Sequence, residues 1–543
     1  MTNFLASGAR RVPILVAGII AGLFAAVVMT LAMAASRFWL GIMPPPEAVP
    51  DRIAPTLDIA TFFSLFGKYG GYDGLKQFGI TSGLRGVAAT GVVLGIIYAF
   101  VVESRRSRRS SRRILGLSPV AFAFLALAVL AAWAGFVIFL WPVIAANYRG
   151  VPYTWARVLT IAALFAWITL FAVTLAATYH FLTRRPAPET SPEPVKPLSR
   201  ILPRRSALAL VAGAALTWPI YRILRSMYYD ATFFYDGRQN TGTDITPITS
   251  NERFYSVTKN VVDPDVDRGL WRLEIVGNVR NSLSLSYGDL MDFEQVDQET
   301  TLCCISNRIG AGFISNANWK GVRLRDVLEQ AGVKDNSYEV FISGADAYHD
   351  SFSLDKAMEE STLVVYEMNG EPLPRIHGYP VRLIVPGLYG EKNVKWVTRI
   401  EVTTSDKQGF YEQQGWGPTF TPPTRSDIFS PRVTGGPRYV FREPLATGKP
   451  VEVKGRAFAG DRGIASVECT VDDGKTWAPA EIYYPGTRLT WSLWRFEWTP
   501  QQPGEYVVYT RAVDGNGDPQ PGDDQYYIPD GAGGYHRVKA TVE

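Results

Sequence analysis

Apolar and polar residues are distributed so unevenly along this 543-residue chain that its two halves obey different rules. Before Tyr229 there are five apolar runs, Pro13–Ala35, Gly86–Val102, Val120–Ile144, Val158–Leu182 and Ser206–Tyr221. The first four are long enough, or nearly so, to cross about 30 Å of hydrocarbon as helices, whereas the fifth is shorter and only mildly hydrophobic. A bilayer offers no water to backbone groups, so helix is the conformation expected of each run. Beyond Ser250 the pattern shifts to short strands and helices. Trp271–Asn278 alternates like a strand, and Ser286 to Leu290 opens a short helix. The spacing of Val322, Leu324, Val327, Leu328 and Ala331 predicts a helix over Val322–Ala331. Strands are expected at Val340–Ser343, Leu363–Met368, Val381–Val385 and Val397–Val402, with a helix over Ser353–Glu360. Following a Pro/Thr-rich segment, Pro418–Pro437, short alternating strands return between Pro450 and Glu543, separated by Asp-Gly and Asn-Gly turns at the spacing of a sandwich.

Charge adds orientation. Arg10 and Arg11 precede the first run, six arginines fill Ser104–Arg113, and Arg184, Arg185, Lys196, Arg200, Arg204 and Arg205 precede the fifth. The intervening links, Ser36–Leu84 and Ala145–Arg157, carry no such excess. Positive loops stay inside, so the N-terminus is expected in the cytoplasm and the chain beyond about residue 225 outside. The run Pro203-Arg204-Arg205-Ser206-Ala207-Leu208 is similar to a twin-arginine export signal, or is simply a positive-inside flank. The proline-rich segment before it marks a domain junction. The net charge of +4 sits in these loops, so it points to a membrane and not to nucleic acid.

Candidate chemistry is confined to the polar half. With three cysteines there is no disulfide framework, and no spacing suits zinc. The stretch Thr300–Gly321 holds adjacent Cys303 and Cys304 with Arg308 four residues on, which suits a soft metal beside an anionic group, or two buried thiols on opposite faces of a strand. Cys469 is in phase with Val467 and Val471, as a core residue would be, and His536 is assigned to the same sandwich. His377 and Arg382 bracket Gly378 and Pro380, and Lys395 follows a Gly-rich loop. Grouped cations and free N–H groups suit a phosphate, while each residue singly has a structural reading. Of the chain's four histidines only His180 falls in the apolar half, too few for a two-histidine haem within the chain. That half is therefore expected to anchor, or to dock another subunit.

Over Ser250–Glu543 the chain resembles the sulfite oxidase family of molybdopterin enzymes. Cys304-Ile305-Ser306-Asn307-Arg308 is similar to the family's Cys-x-x-Asn-Arg segment. YEMNGEPLPRIHGYPVRLIV (Tyr366–Val385) and PGLYGEKNVKW (Pro386–Trp396) resemble its most distinctive blocks, and TVDDGKTW, TRAVDGNGDPQP and GYHRV resemble its immunoglobulin-like dimerisation domain. The resemblance implies that Cys304 is the molybdenum ligand, with Cys303 only its neighbour. It also implies that Tyr255, Lys259, Asn307, Arg308, His377, Arg382 and Lys395 hold the molybdopterin. Arg308 is expected to favour the thiolate and the anionic cofactor. The sequence departs from the family's sulfite-handling members at three places: Ile309 stands where they have arginine, Trp416 falls on their catalytic tyrosine, and Lys259 replaces an arginine. Arg462 is carried over as a substrate-side cation. With cations and a phenol missing, sulfite should bind poorly.

The expectation is thus a membrane α-helical region of about five spans (1–225), an α+β molybdopterin-binding domain (226–435) and a C-terminal immunoglobulin-like β-sandwich (436–543). It implies a molybdenum–molybdopterin oxidoreductase in a bacterial inner membrane with its site on the outer side, Cys304, Trp416 and Arg462 being catalytic. Its reaction would be two-electron oxygen-atom transfer on a small molecule. There is no CxxCH or iron–sulfur cysteine cluster, so a c-type cytochrome or quinone-linked subunit is the expected electron partner, and the sandwich implies a homodimer. Reduction of a sulfoxide-type substrate, or a non-enzymatic cell-surface binding role, are the alternatives.

Overall fold

The structure is a computed structural model that describes residues 2–105, 119–183, 222, 225, 229–434 and 439–543. The chain forms two compact units. One comprises Met1–Ile53, Tyr69–Tyr148 and Thr154–Ala231, and the other Ala54–Lys68, Arg149–Tyr153 and Thr232–Glu543.

Six helices make up the described N-terminal part: α1 (Thr2–Leu40), α2 (Pro45–Ile53), α3 (Ile59–Lys68), α4 (Tyr72–Arg105), α5 (Pro119–Leu140) and α6 (Tyr153–Thr183). Among the described residues, three segments are long and apolar enough to cross a membrane, namely Ile14–Leu40, Tyr72–Glu103 and Tyr153–Thr183. Three of the five expected runs are thereby borne out as span-length helices. The run Val120–Ile144 forms α5, whose apolar stretch Leu125–Leu140 falls short of that length. The run Ser206–Tyr221, the twin-arginine-like segment and most of the arginine-rich link after α4 lie outside the described residues. Helix α4 begins at Tyr72, well before Gly86, because a helix satisfies its own backbone groups across a mixed stretch, and Asp73 sits favourably in its first turn.

Small residues lock α1 to α4. A Cβ on Gly22 would lie 1.9 Å from the Gly91 carbonyl oxygen, and one on Gly95 would lie 2.1 Å from that of Gly18. Gly18 and Gly22 are four apart, as are Gly91 and Gly95, so two Gly-x-x-x-Gly faces meet backbone to backbone. In lipid such close approach supplies the dispersion contacts that a hydrophobic effect between helices cannot. The lone histidine of this half, His180, is paired with the Tyr98 hydroxyl at 3.2 Å.

In the second unit, strand Leu273–Gly277 runs parallel to Val397–Thr403, and antiparallel neighbours Leu283–Leu285, Glu339–Gly344 and His349–Ser353 complete a five-stranded sheet. A second sheet pairs Gln295–Cys303 with Ile314–Arg323, which in turn pairs with Leu363–Met368; Arg382–Ile384 joins the last of these. Trp271, Leu273, Val340, Val364, Tyr366 and Trp396 belong to the core between these elements. The helix expected from Val322 starts instead at Leu324, because Val322 remains in the sheet opposite Val364. Its apolar residues Leu324, Val327, Leu328 and Ala331 are buried, and Gly332 ends it at φ 70°. The helix expected over Ser353–Glu360 shrinks to Leu354–Ala357, capped by the Ser353 side chain.

The last hundred residues form two facing sheets. Arg425–Ser430, Val451–Phe458, Ser492–Trp498 and Glu481–Tyr484 build one; Ile464–Thr470, Gly504–Asp514 and Val538–Val542 are the centre of the other. Val453, Val467, Cys469, Trp494, Val508 and Val538 form the core between them, so Cys469 is core packing as expected. From Thr232 onward, the parts expected as domains 226–435 and 436–543 fall in one compact unit. If the glycine faces hold the helix pair, Gly22→Leu will overpack it and destabilise the detergent-solubilised protein by about 1–3 kcal/mol. Gly86→Leu, where a Cβ meets nothing within 4 Å, should be near neutral in the same thermal melt.

Candidate active site

The site is built on the turn that follows strand Gln295–Cys303. Cys303 is the last strand residue and is 1% exposed, packed in an apolar cluster with Ile305, Tyr389 and Trp416. Cys304 is the first residue out of the strand and remains partly accessible. Its N–H donates to the Phe313 carbonyl at 2.9 Å, and its Sγ lies 3.2 Å from Ser306 Oγ. Asn307 is fully buried; its Nδ2 points to Cys303 Sγ at 3.6 Å and its Oδ1 accepts from Phe313 N at 2.9 Å. The asparagine therefore braces the turn, leaving the Cys304 sulfur at its mouth. Burial pushes the Cys304 thiol up to about 12, and Glu391 adds to the rise. A soft cation would displace that proton, since a thiolate is the species that binds metal.

Arg308 is exposed, and its guanidinium lies 5.0 Å from the Tyr527 ring and 5.9 Å from that of Tyr526. Hydrogen bonding to Tyr527 raises the arginine.

What fixes this turn is a cluster that the sequence did not reveal. The N–H of Gly310 donates to Asp427 Oδ1 at 2.8 Å. Arg425 donates to the carbonyls of Asn307 at 3.1 Å and Arg308 at 2.9 Å. The Tyr439 hydroxyl donates to the Ile309 carbonyl, and Arg456 to that of Ala311. Asp427 pairs with Arg425 at 3.1 Å and Arg456 at 3.7 Å, all three being 4% exposed or less. Burial alone would push Asp427 up, but Arg425, Arg456 and His536 hold its carboxyl below the usual range. Gly310 has φ 74°, and a Cβ there would strike His536 Nε2 at 2.3 Å. Arg425, Asp427, Tyr439 and Arg456 lie on strands of the C-terminal sheets and hold one backbone group of each residue from 307 to 311. Arg425 and Asp427 sit in the segment read as Pro/Thr-rich; their strand went unrecognised because its buried positions are charged, and period-two reading looks for apolar ones.

A second group of cations converges at the Gly378 turn. Gly378 has φ 111°, and a Cβ there would meet Arg382 Cβ at 3.0 Å and Lys395 Cβ at 3.2 Å. Arg382 is 5% exposed and donates to the carbonyls of His377 at 3.2 Å and Asn393 at 3.0 Å. Lys395 donates to the carbonyls of Ile376 at 3.1 Å and Val257 at 3.3 Å. Burial depresses both, Arg382 to about 10. His377, 1% exposed, places Nε2 2.8 Å from the Asn251 carbonyl, and burial with the nearby cations lowers it to about 3. Among the described residues neither Arg382 nor Lys395 has a carboxylate within ion-pair distance. Lys259 donates to the Asp346 carbonyl at 2.7 Å, its ammonium 5.9 Å from the Phe410 ring. Tyr255 is buried, stacked on Phe254, and reaches the Gly390 backbone, where a Cβ would meet its hydroxyl at 2.4 Å.

Among the described residues the buried Tyr389 hydroxyl and Trp416 Nε1 have no hydrogen-bond partner, and the Glu391 carboxyl is met by backbone N–H groups, its own and that of Ile305, with no side-chain partner. Trp416 and Tyr389 share an apolar cluster with Cys303 and Ile305, and Glu391 acts on Cys304. Burial, reinforced by Asp350, pushes Glu391 up to about 8. Native interiors satisfy such groups, so orphans in the cluster that packs on the Cys303–Cys304 turn mark a place for a ligand. Together with the converging cations Arg382 and Lys395 for a phosphate and a soft sulfur for a metal, these residues fit a molybdenum–pterin group. Arg462, in contrast, is engaged inside the sandwich by Asp514 at 2.7 Å and the Pro422 carbonyl at 3.0 Å. Glu391, on the Gly-rich loop with Lys392 and Lys395, is given no role by the sequence, because an acid beside a lysine there reads as a solvated pair.

Comparison with known proteins follows the same lines. Residues 260–411 match the oxidoreductase molybdopterin binding domain, and residues 440–543 the Mo-co oxidoreductase dimerisation domain. Mouse mitochondrial sulfite oxidase is 33% identical over 314 residues, covering 50% of this chain and 57% of the relative. Chicken sulfite oxidase is 31% identical over 314 residues, covering 50% of this chain and 68% of the relative. Barley nitrate reductase [NAD(P)H] is 29% identical over 306 residues, covering 47% of this chain and 34% of the relative. The chain belongs to the sulfite oxidase family of molybdopterin-dependent oxidoreductases. It spans only 57% of the length of the mouse relative, and about half of it lies outside the matched region.

Two measurements test this geometry. Asp427→Asn leaves two buried guanidinium groups without a counter-charge and should cost about 3–5 kcal/mol in denaturant unfolding, against about 1 kcal/mol for Tyr439→Phe. The low value for His377 means that the unfolded chain binds a proton there that the folded chain does not between pH about 6.5 and 3. Stability of cofactor-free protein should therefore fall as pH drops through that window, and His377→Gln should flatten the fall.

Proposed function

We propose that the chain is a membrane-anchored molybdenum–molybdopterin oxidoreductase, acting on a small oxidised or oxidisable molecule outside the cytoplasm and exchanging electrons with a separate carrier. The observation that carries this reading is the partly accessible Cys304 beside the Glu391 carboxyl, with the cations Arg382 and Lys395, neither in an ion pair among the described residues, converging at the Gly378 turn. When bound, the molybdenum centre supplies two-electron oxygen-atom transfer. Cys304 is its protein ligand, and Tyr255, Lys259, His377, Arg382 and Lys395 hold the pterin and its phosphate. Asn307 keeps the ligand turn closed. Glu391 holds a proton near neutral pH beside Cys304, and Trp416 Nε1 offers a donor to a substrate oxygen. Arg308 takes the substrate-side role that the sequence assigned to Arg462, whose charge is matched by Asp514.

The apolar half is read as the anchor, with about five spans, a cytoplasmic N-terminus and the site on the outer face of a bacterial inner membrane. The matched dimerisation domain supports a homodimer through an immunoglobulin-like sandwich at 436–543, and a c-type cytochrome or quinone-linked subunit is the proposed electron partner. Ile309 and Trp416 make the surroundings of the site more apolar than an oxyanion requires, which favours reduction of a neutral oxide such as a sulfoxide as the second reading. The barley relative, named a nitrate reductase, lends that direction precedent within the family.

Purified full-length protein from a cofactor-competent host should contain about one molybdenum and one pterin per chain. Cys304→Ser should lower dye-coupled activity at least about a hundredfold. In a screen of sulfite and dimethyl sulfoxide, sulfite should show the weaker binding. Absence of molybdenum sinks the proposal, and full activity in Cys304→Ser removes the ligand assignment.

A further inference from the structure

Helix α3 belongs by sequence to the link between the first two span-length helices, yet it is part of the compact unit that holds Cys304. The contact is specific. Phe63 has its ring centroid 5.7 Å from that of Trp416 and 6.0 Å from that of Tyr527. Trp416 and Tyr527 are themselves 6.5 Å apart, so the three rings form one cluster. Ile59 joins the same apolar group, which includes Cys303, Ile305 and Ile309. Just upstream, Gln414 donates to the Ala54 carbonyl at 3.1 Å, tying the turn that carries Trp416 to the start of the segment. Phe62 and Phe66 back the Phe63 ring at 5.4 and 5.7 Å.

Both rings that Phe63 touches face the site. Tyr527 holds Arg308, the exposed cation of the ligand turn. Trp416 carries the unpartnered indole N–H. Trp416 Nε1 has no partner among the described residues, and the Tyr527 hydroxyl is bonded only to the exposed Arg308 and to its neighbour Tyr526 among the groups that shift it. Their placement therefore depends on aromatic packing, and Phe63 is the ring common to both. We infer that Phe63 on α3 is a positioning residue for the active site: it sets Trp416 and Tyr527, and through Tyr527 the Arg308 guanidinium that meets the substrate. The apolar half thus contributes a piece of the catalytic unit in addition to any anchoring. This rests on the molybdenum-site reading above.

The test uses the full-length holoenzyme in detergent, with sulfite as an anionic probe and dimethyl sulfoxide as a neutral one, dye-coupled, and molybdenum measured on each preparation. Phe63→Ala should raise KM about tenfold for the probe that is turned over, with kcat within about twofold and molybdenum unchanged; Phe63→Leu should recover part of it. Where both probes react, the rise should be larger for sulfite, because Arg308 recognises charge. An unchanged KM in Phe63→Ala overturns the inference and leaves the enzyme reading intact. Equal loss of molybdenum and kcat in both variants also overturns it, since the ring would then be serving only stability. Wild-type protein that carries molybdenum but turns over neither probe defeats the proposed function, and this inference with it.

Discussion

The arrangement of the site depends on one buried ionic cluster, Asp427 between Arg425 and Arg456. Taking three charges out of water is costly, and the cost falls as their remaining donors and acceptors find partners. Here Arg425 Nε, Arg456 Nε and His536 Nε2 are left without a hydrogen-bond partner among the described residues, while the turn after Cys304 engages several of the other groups. Its carbonyls at Asn307, Arg308 and Ala311 accept from the arginines, and the Gly310 N–H donates to the carboxylate. The turn and the cluster thus partner one another. The turn after Cys304 is held from outside by the C-terminal sheets, which supply its rigidity.

That arrangement gives the C-terminal part a second task beside the dimerisation its family match names. The cofactor part and the sandwich fall in one compact unit because their polar interiors interlock, and not only their apolar ones. Trp491 N–H donates to Thr301 on the strand leading to Cys303, a further link of the same kind. The cations at Arg382 and Lys395 show the opposite condition. They lie against carbonyls and, among the described residues, have no carboxylate within ion-pair distance, a state that an anionic group would relieve on binding.

The apolar half follows a different rule, with backbone contact between glycines in place of apolar burial. Its link between α1 and α4 is not a passive loop, since α2 and α3 fold within it and α3 joins the unit that contains the site. The two halves of the sequence are therefore not two halves of the function.

Periodicity and residue type sufficed for much of this. Three span-length helices, the strand Leu363–Met368 and the inward Cys469 were legible because each follows from local hydrophobic spacing, which the chain carries residue by residue. The family was legible because Cys304, Asn307, Arg308, His377, Arg382 and Lys395 recur in fixed order within short motifs. Tertiary structure decided what joins distant segments. It set Arg308 against Tyr527, satisfied Arg462 with Asp514, brought Arg425 and Asp427 to the turn at Cys304, and packed Phe63 on Trp416. None of these has a local signature, because a side chain matched by a partner fifty or more residues away looks, in sequence, like one exposed to water.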